Sequence, residues 1–401
     1  MIKNRALYSW ALYDFANTIF SAVVLTFYFP LYLTGLTQQN LSLGIAATAA
    51  MILAGGVVPW LGLLSDRTGQ TKSYLIGSTL LCVGFTLSLS LFTSIPLLIA
   101  TFLFAAFFFH ASLVFYNALL PVVAKPETQG FASGAGTALG YLGVVFSIPI
   151  AQFISTHYGQ RFVFLSAGLL FFFFSLPLFL WVPERKSVKP IPVSVTVLIQ
   201  SASEVGKTAL WVAQKRPLLC FFLGNFFVME AMNTVIFWLI LYTARVFQPP
   251  ESVLMFIFLG LNFSAFLGGL AAGFLTDRWS SKNTLLVSVL SLFGTLLILG
   301  LTKNLPVFVM VSLIGGGFGF AGIWTAGRKC VVELAPPEEV GRYFGLYNLT
   351  TKVSVIWNLI FSGLADRFGF PSALLSLCLP SGIGLFFLLL SRTDENEEEV
   401  S

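Results

Sequence analysis

The chain has 401 residues, 57% of them apolar and 10% charged, with a mean hydropathy of +0.88 and a formal net charge of +5. Soluble domains carry about 25% charged residues, so a water-soluble fold is excluded, and the small basic excess belongs to membrane topology rather than to nucleic-acid binding. The apolar runs are long and do not alternate; this excludes a β-barrel and leaves membrane-spanning helices, whose backbone groups are satisfied within the segment.

Twelve spans are predicted, near residues 7–33, 43–64, 73–93, 96–121, 130–155, 161–182, 216–244, 252–275, 284–302, 305–327, 341–365 and 371–391. Lys3 and Arg5 precede the first, but no small-residue cleavage site follows, so it reads as a span and not as a removable signal. It carries Asp14 and, at i+3 on the same face, Asn17. The fourth span carries His110, after Phe107-Phe108-Phe109, and Asn117. A histidine there is either a neutral ring bonded to a backbone carbonyl or a proton relay. The fifth is rich in glycine (Gly130, Gly134, Gly136, Gly140 and Gly143).

Residues 183–215 form the longest loop. It opens with Pro183-Glu184-Arg185-Lys186, and then Val195, Leu198, Ile199, Ala202 and Val205 recur at helical spacing, which predicts a surface amphipathic helix. The seventh span carries Glu230 and Asn233; the tenth ends near Arg328 and Lys329; the eleventh holds Lys352 at a depth of roughly 16 Å. The organisation expected is therefore a six-helix bundle (1–182), a cytoplasmic linker (183–215), a second six-helix bundle (216–392) and a solvated acidic tail (393–401). Cys82, Cys220, Cys330 and Cys378 are scattered singly and show neither pairing nor metal-ligand spacing.

The two bundles are one pattern written twice. Gly62-Leu63-Leu64-Ser65-Asp66-Arg67 returns as Gly273-Phe274-Leu275-Thr276-Asp277-Arg278, and Pro126-Glu127 with Gly130 and Gly134 returns as Pro337-Glu338 with Gly341 and Gly345, both at an offset of 211 residues. Asp14 to Thr18 returns as Glu230 to Thr234 at an offset of 216. Matches in the same order at nearly the same offset lay the first six helices over the last six. With both termini on one side, that side receives seventeen of the 22 lysines and arginines; the other receives Arg161, Arg245, Lys303 and Arg367, and Lys352 stays within a span. The positive-inside rule then places both termini in the cytoplasm.

Gly62-Leu63-Leu64-Ser65-Asp66-Arg67-Thr68-Gly69-Gln70-Thr71-Lys72 resembles the loop 2–3 signature of the major facilitator superfamily, Gly-x-Leu-(Ala/Ser)-Asp-Arg-x-Gly before basic residues, with Gln70 and Thr71 departing from the basic run. The resemblance implies a twelve-helix major facilitator fold, all α, in which this loop closes the cytoplasmic gate through its aspartate. Gly62, Asp66, Arg67 and Gly69, with the second copy Gly273, Asp277 and Arg278, are the gating residues it implies. Trp10-Ala11-Leu12-Tyr13-Asp14-Phe15-Ala16-Asn17, Tyr116-Asn117-Ala118-Leu119-Leu120-Pro121, Ala138-Leu139-Gly140-Tyr141-Leu142-Gly143 and Tyr343-Phe344-Gly345-Leu346-Tyr347 are similar to the Atg22-like (UMF1) branch. That branch implies export of small organic solutes, typically amino acids, with fungal relatives working at the vacuole. The glycine-rich fifth span lacks the Gly-Pro pair of the drug-antiporter signature; Pro149 comes too late to supply it.

Ionisable groups at membrane depth cost roughly 2.5–3.5 kcal/mol each and usually face a cavity or a partner. Asp14, Asn17, His110, Asn117, Glu230, Asn233, Arg328 and Lys352 are accordingly the candidates for solute binding and proton coupling. Lys352 either pairs with Glu230 or Asp14 or holds a solute carboxylate, and Arg328 either snorkels to the interface beside Lys329 or clasps an anion. Acids on helices 1 and 7 with cations on helices 10 and 11 suit a zwitterion. The expectation is a monomeric secondary transporter in a bacterial cytoplasmic membrane, exporting an amino acid or similar solute by alternating access, with protons as candidate coupling ion and no cofactor. The competing readings are a lipid- or drug-like cargo and a transporter-like sensor or scaffold. A membrane enzyme is disfavoured, since no metal cluster, nucleophile motif or nucleotide loop is found.

Overall fold

A computed structural model describes residues 2–37, 57, 60–184, 210–354 and 356–391. The surface helix expected within 183–215, most of the second span and the acidic tail lie largely or wholly outside the described residues, as does the side chain of Lys352.

The described residues form helices in the order expected, with no strand among them. We number them α1 (Ile2–Ile19, continuing through Phe20–Tyr28 and Phe29–Thr37), α2 (60–68), α3 (Thr71–Ser88), α4 (Ile95–Ala118), α5 (Gln129–Tyr158) and α6 (Gln160–Trp181). The second set is α7 (Arg216–Phe247), α8 (Glu251–Arg278), α9 (Ser281–Leu301), α10 (Leu305–Val311, Ser312–Gly316 and Gly317–Leu334), α11 (α11a, Val340–Val353, and α11b, Ile356–Phe368) and α12 (Phe370–Ser376 and Cys378–Leu390). Among the described residues nine helices are long and apolar enough to cross a membrane; α2, α3 and the divided α11 take the other three places.

Three helices depart from the sequence reading. Along Phe20–Tyr28, α1 widens to a π-helix; Pro30 follows, and a proline has no N–H to give the carbonyl four residues back, so the turn before it opens. α10 runs on to Leu334, which puts Arg328 and Lys329 inside the helix and not at its end. α11, expected as one span, is interrupted at Ser354, whose backbone is non-helical at φ −73° and ψ 70°.

The halves meet through glycine. In α5, Gly130, Gly134 and Ala138 lie four residues apart and face Gly269 and Gly273 of α8. A Cβ on Gly134 would run into the carbonyl oxygen of Gly269, and one on Gly273 would stand 2.9 Å from the carbonyl oxygen of Gly130. Small residues at that spacing let two helices approach to backbone contact, where van der Waals packing replaces the hydrophobic drive that lipid cannot supply. The same contact recurs between α2 and α11a, where a Cβ on Gly62 would strike the carbonyl of Gly341.

This seam makes a prediction. Gly134→Leu should lower the thermal midpoint of the purified protein by an overpacking cost of about 1–3 kcal/mol. Gly77→Leu, on a face of α3 where a Cβ meets open space, should leave it unchanged. Equal midpoints for the two variants would contradict the packing argument.

Candidate functional site

Asp14 and Arg328 form a salt bridge between the two halves. Arg328 Nη1 stands 2.8 Å from Asp14 Oδ2, with the side chains 9% and 7% exposed. The other oxygen, Asp14 Oδ1, accepts from Asn17 Nδ2 at 3.0 Å, so the i+3 spacing serves to orient the carboxylate. The snorkelling expectation for Arg328 is therefore corrected. Because α10 continues six residues beyond it, the guanidinium cannot reach the helix end and turns inward instead.

Aromatic rings and glycines shape the ground around this pair. Trp10 stacks on Tyr116 of α4 with ring centroids 4.4 Å apart, and its Nε1 donates to the Tyr116 carbonyl at 2.9 Å. The Arg328 guanidinium lies over the same tyrosine ring, 5.6 Å from its centroid. Gly136 of α5 makes this possible, since a Cβ there would sit 2.9 Å from Tyr116 Oη and 3.1 Å from Asp14 Oδ2. On the other side of Arg328, Tyr347 Oη of α11a fills the space that a Cβ on Gly327 would need, at 2.7 Å. Asn117 Oδ1, Thr137 Oγ1, Thr325 Oγ1 and Tyr347 Oη are all buried and have no hydrogen-bond partner. Buried polar atoms are normally paired, so these four, close in sequence to groups that surround the ion pair, mark ground that another polar molecule can satisfy.

Glu230 and Asn233, the repeat counterparts of Asp14 and Asn17, have a different task. Glu230 Oε1 accepts from the backbone N–H of Ile356 at 3.3 Å, and Oε2 from that of Trp357 at 2.9 Å, at the start of α11b. Asn233 Nδ2 donates to the carbonyls of Thr351 (3.1 Å) and Ser354 (3.3 Å), at the end of α11a. Ser354 Oγ donates to the carbonyls of Phe226 (3.1 Å) and Thr350. An interrupted helix in a membrane exposes amides on one side of the gap and carbonyls on the other, and each must find a partner within the protein. Two residues of α7, one turn apart, supply both.

The gating residues sit at one end of the molecule. Asp66 Oδ1 and Oδ2 accept from the backbone N–H of Gly341 (3.0 Å) and Arg342 (2.7 Å), at the N-terminus of α11a. Asp277 repeats this on α5, accepting from Gly130 (2.8 Å) and Phe131 (2.6 Å). Lys329 Nζ adds an ion pair to Asp277 Oδ1 at 2.9 Å. Each carboxylate meets the positive end of a helix dipole in the opposite half. Gly69 takes a left-handed φ of 65°, which turns the chain from α2 into α3, and Arg278 lies over the ring of Phe274 at 4.7 Å. Arg67 is half-buried at the end of α2.

Of the remaining candidates, His110 is buried in α4, edge-on to Phe109 at 5.1 Å and two turns from Asn117. Lys352 belongs to α11a by its backbone alone. Tyr116, Tyr347, Thr137, Thr325 and Ser354 escaped the sequence reading as site residues. The two tyrosines carried a signal: at the repeat offset, Tyr116 falls on Gly327 and Gly136 on Tyr347. Each half thus has one tyrosine and one glycine, exchanged between the two helices.

Two six-helix sets, a glycine seam, paired clasps at one end and a buried interhelical charge pair define a membrane carrier. The sequence profile of the Major Facilitator Superfamily matches residues 11–297 and 221–401, and the chain belongs to that superfamily. It is an integral, multi-pass membrane transporter and not an enzyme. The chain is 28% identical to an uncharacterized protein of Aquifex aeolicus (strain VF5), over 98% of each chain. It is 27% identical to the uncharacterized MFS-type transporter YxiO of Bacillus subtilis (strain 168), over 98% of this chain and 96% of that one. Its Atg22-like affinity appears in autophagy-related protein 22-1 of Aspergillus niger, 22% identical over 61% of this chain and 46% of the relative. Among solved structures, the human organic anion transporter MFSD10 superposes with a TM-score of 0.75 (15% identity, 96% and 99% covered). The proton:xylose symporter XylE superposes with a TM-score of 0.76 (13% identity, 97% and 94% covered). At those identities the structures share the fold.

The ion pair can be tested by itself. Asp14→Asn should cost about 3–5 kcal/mol of stability, because Arg328 is left buried without its counter-charge. Asp14→Asn with Arg328→Gln should cost less than the two single changes summed, as read from thermal unfolding of the four proteins in a double-mutant cycle. Strict additivity would show that the pair is not coupled.

Proposed function

We propose that this chain exports a small zwitterionic solute, an amino acid or a close analogue, by alternating access across a bacterial cytoplasmic membrane, with protons as the coupling ion. The observation that supports this reading is the Asp14–Arg328 pair, to which each half contributes one charge. When the halves separate along this plane, both charges lose their partner in a medium where an unpaired ion is costly. A solute with an ammonium and a carboxylate restores both contacts at once, the ammonium at Asp14 and the carboxylate at the Arg328 fork. The orphan hydroxyl and amide groups of Asn117, Thr137, Thr325 and Tyr347 then serve the polar remainder of the solute. An apolar cargo would satisfy none of these groups, which disfavours the lipid-like alternative.

In this reading the moving bodies are residues 1–182 and 216–392, with 183–215 between them and both termini in the cytoplasm. Asp66 and Asp277 then close the cytoplasmic face. They release it when their helix partners withdraw, so the cycle trades two backbone-held clasps against closure at the opposite face. The protein works as a monomer, since each half of the site comes from the same chain.

The test is a thermal-shift screen of the purified protein followed by flux in proteoliposomes. Amino acids should stabilise it, by about 2.7 kcal/mol at a hundredfold excess over the dissociation constant. A simple amine or a simple carboxylate of the same size should do so weakly, and Arg328→Gln should abolish the response. Stabilisation by apolar amphiphiles alone, or by no solute of any class, would overturn the assignment.

A further inference from the structure

The two repeat-related acids have unlike partners, and that difference separates their chemistry. Asp14 faces the guanidinium of Arg328 at 2.8 Å. Glu230 is just as buried, but its oxygens are taken by two backbone amides. A carboxylate accepts both of those bonds. A carboxylic acid accepts them less well, because its hydroxyl oxygen is a weaker acceptor and carries a proton that needs an acceptor of its own, where these two partners are both donors. The bond to Ile356 is the longer of the two, at 3.3 Å against 2.9 Å, so Oε1 is the oxygen that gives way. Taking up one proton there also removes the negative charge from the positive end of the α11b dipole.

We propose that Glu230 is a proton-binding site, and that its occupancy sets whether α7 holds or releases α11b at the Ser354 break. With the proton absent, Glu230 and Asn233 hold both sides of the break. With it bound, Asn233 still holds the carbonyls of Thr351 and Ser354, while α11b loses the Ile356 bond of its cap and the attraction of the carboxylate charge. The half of α11 remote from the Asp66 clasp is then free to turn about Ser354. Trp238 of α7 limits that movement, through its Nε1 bond to Asn358 Oδ1 (3.0 Å) and its stacking on Phe361 (5.2 Å). The proton thus acts on a moving element and not on the solute pocket, which separates coupling from recognition. The inference deepens the proton-coupled reading above by naming the site and the part that the proton moves.

Other ionisable groups on the surrounding helices are accounted for by position. Arg342 of α11a and Asp366 and Arg367 of α11b lie ten or more residues from the break, roughly 15 Å or more along their helices. Asp277 of α8 is engaged by α5 and Lys329, and Glu251 and Arg278 sit at the two ends of α8. On α11a, Tyr347 packs against Gly327, and Tyr343 lies eleven residues before Ser354. On α12 the titratable group is the thiol of Cys378. Lys352 lies two residues before the break in the sequence, and it receives its own variant below.

Nitroxide labels at Leu301 and Phe368, exposed residues at the ends of α9 and α11b, report the position of α11b in the full-length protein with Cys378 replaced by Ser. No solute is needed, so the result stands whether or not the zwitterion assignment does. The label-to-label distance measured by pulsed electron resonance should change between about pH 8 and about pH 5, a span that brackets protonation of a buried carboxyl group. Glu230→Gln, which keeps one acceptor oxygen and puts a donor in place of the other, should give the low-pH distance throughout. Glu230→Asp and Lys352→Gln should each still titrate. A pH-independent distance in the parent protein, a Glu230→Gln variant that still titrates, or loss of the response in Lys352→Gln would overturn the proposal.

Discussion

The contact on which the rest of this structure depends is the buried bond between Asp14 and Arg328. Two charges taken out of water are tolerable only as a pair, and here the pair is divided between the bundles. While the bond stands, the halves are drawn together there, and every nearby side chain must fit around it. Gly136 has no side chain because Asp14 and Tyr116 occupy that space, and Asn17 holds the second carboxylate oxygen so that the first is aimed at the guanidinium. Under the proposed function, a ligand that supplies both charges replaces it, which makes the contact strong against water and exchangeable for a solute.

The clasps and the centre follow different rules. At the clasps the two halves are close copies, with Asp66 on the first turn of α11a and Asp277 on the first turn of α5, each beside glycines that let the backbones touch. Such a contact uses backbone amides and tolerates little variation. At the centre the copies have diverged. Asp14 has a cation and Glu230 has a helix end; Asn17 aligns a carboxylate and Asn233 binds carbonyls. The duplicated helices give both acids the same depth, and their neighbours decide what each acid does.

Much of this was legible in the sequence, for identifiable reasons. The twelve-helix order, the 211-residue repeat and the Gly-x-x-x-Asp-Arg blocks rest on hydropathy and on spacing, which any reading of the chain preserves. The position of Arg328 was misread because hydropathy marks where a span becomes polar, whereas α10 stays helical through Arg328 and Lys329 to Leu334. The break in α11 was missed for a related reason: Thr350-Thr351-Lys352-Val353-Ser354 contains neither proline nor glycine. The run is rich in hydroxyl groups that bond to carbonyls, and Ser354 does so within its helix and across to α7. What keeps the break open is Glu230 and Asn233, more than 120 residues earlier in the chain, and local sequence cannot report that.

The exchange of tyrosine and glycine between the halves extends this logic. In the first half the ring is on α4 and the gap on α5; in the second the gap is on α10 and the ring on α11a. A duplicated bundle with the same choice in both halves would place two rings, or two gaps, at equivalent points about the central axis. Exchanging them puts Tyr116 under the guanidinium of Arg328 and brings the Tyr347 hydroxyl against the residue preceding it. The cation of the second half thereby lies over a ring of the first, while Asn117, which occupies the repeat position of Arg328, keeps an unpaired oxygen. The symmetry of the scaffold provides two like bundles, and where it breaks an acid of the first half stands against a base of the second.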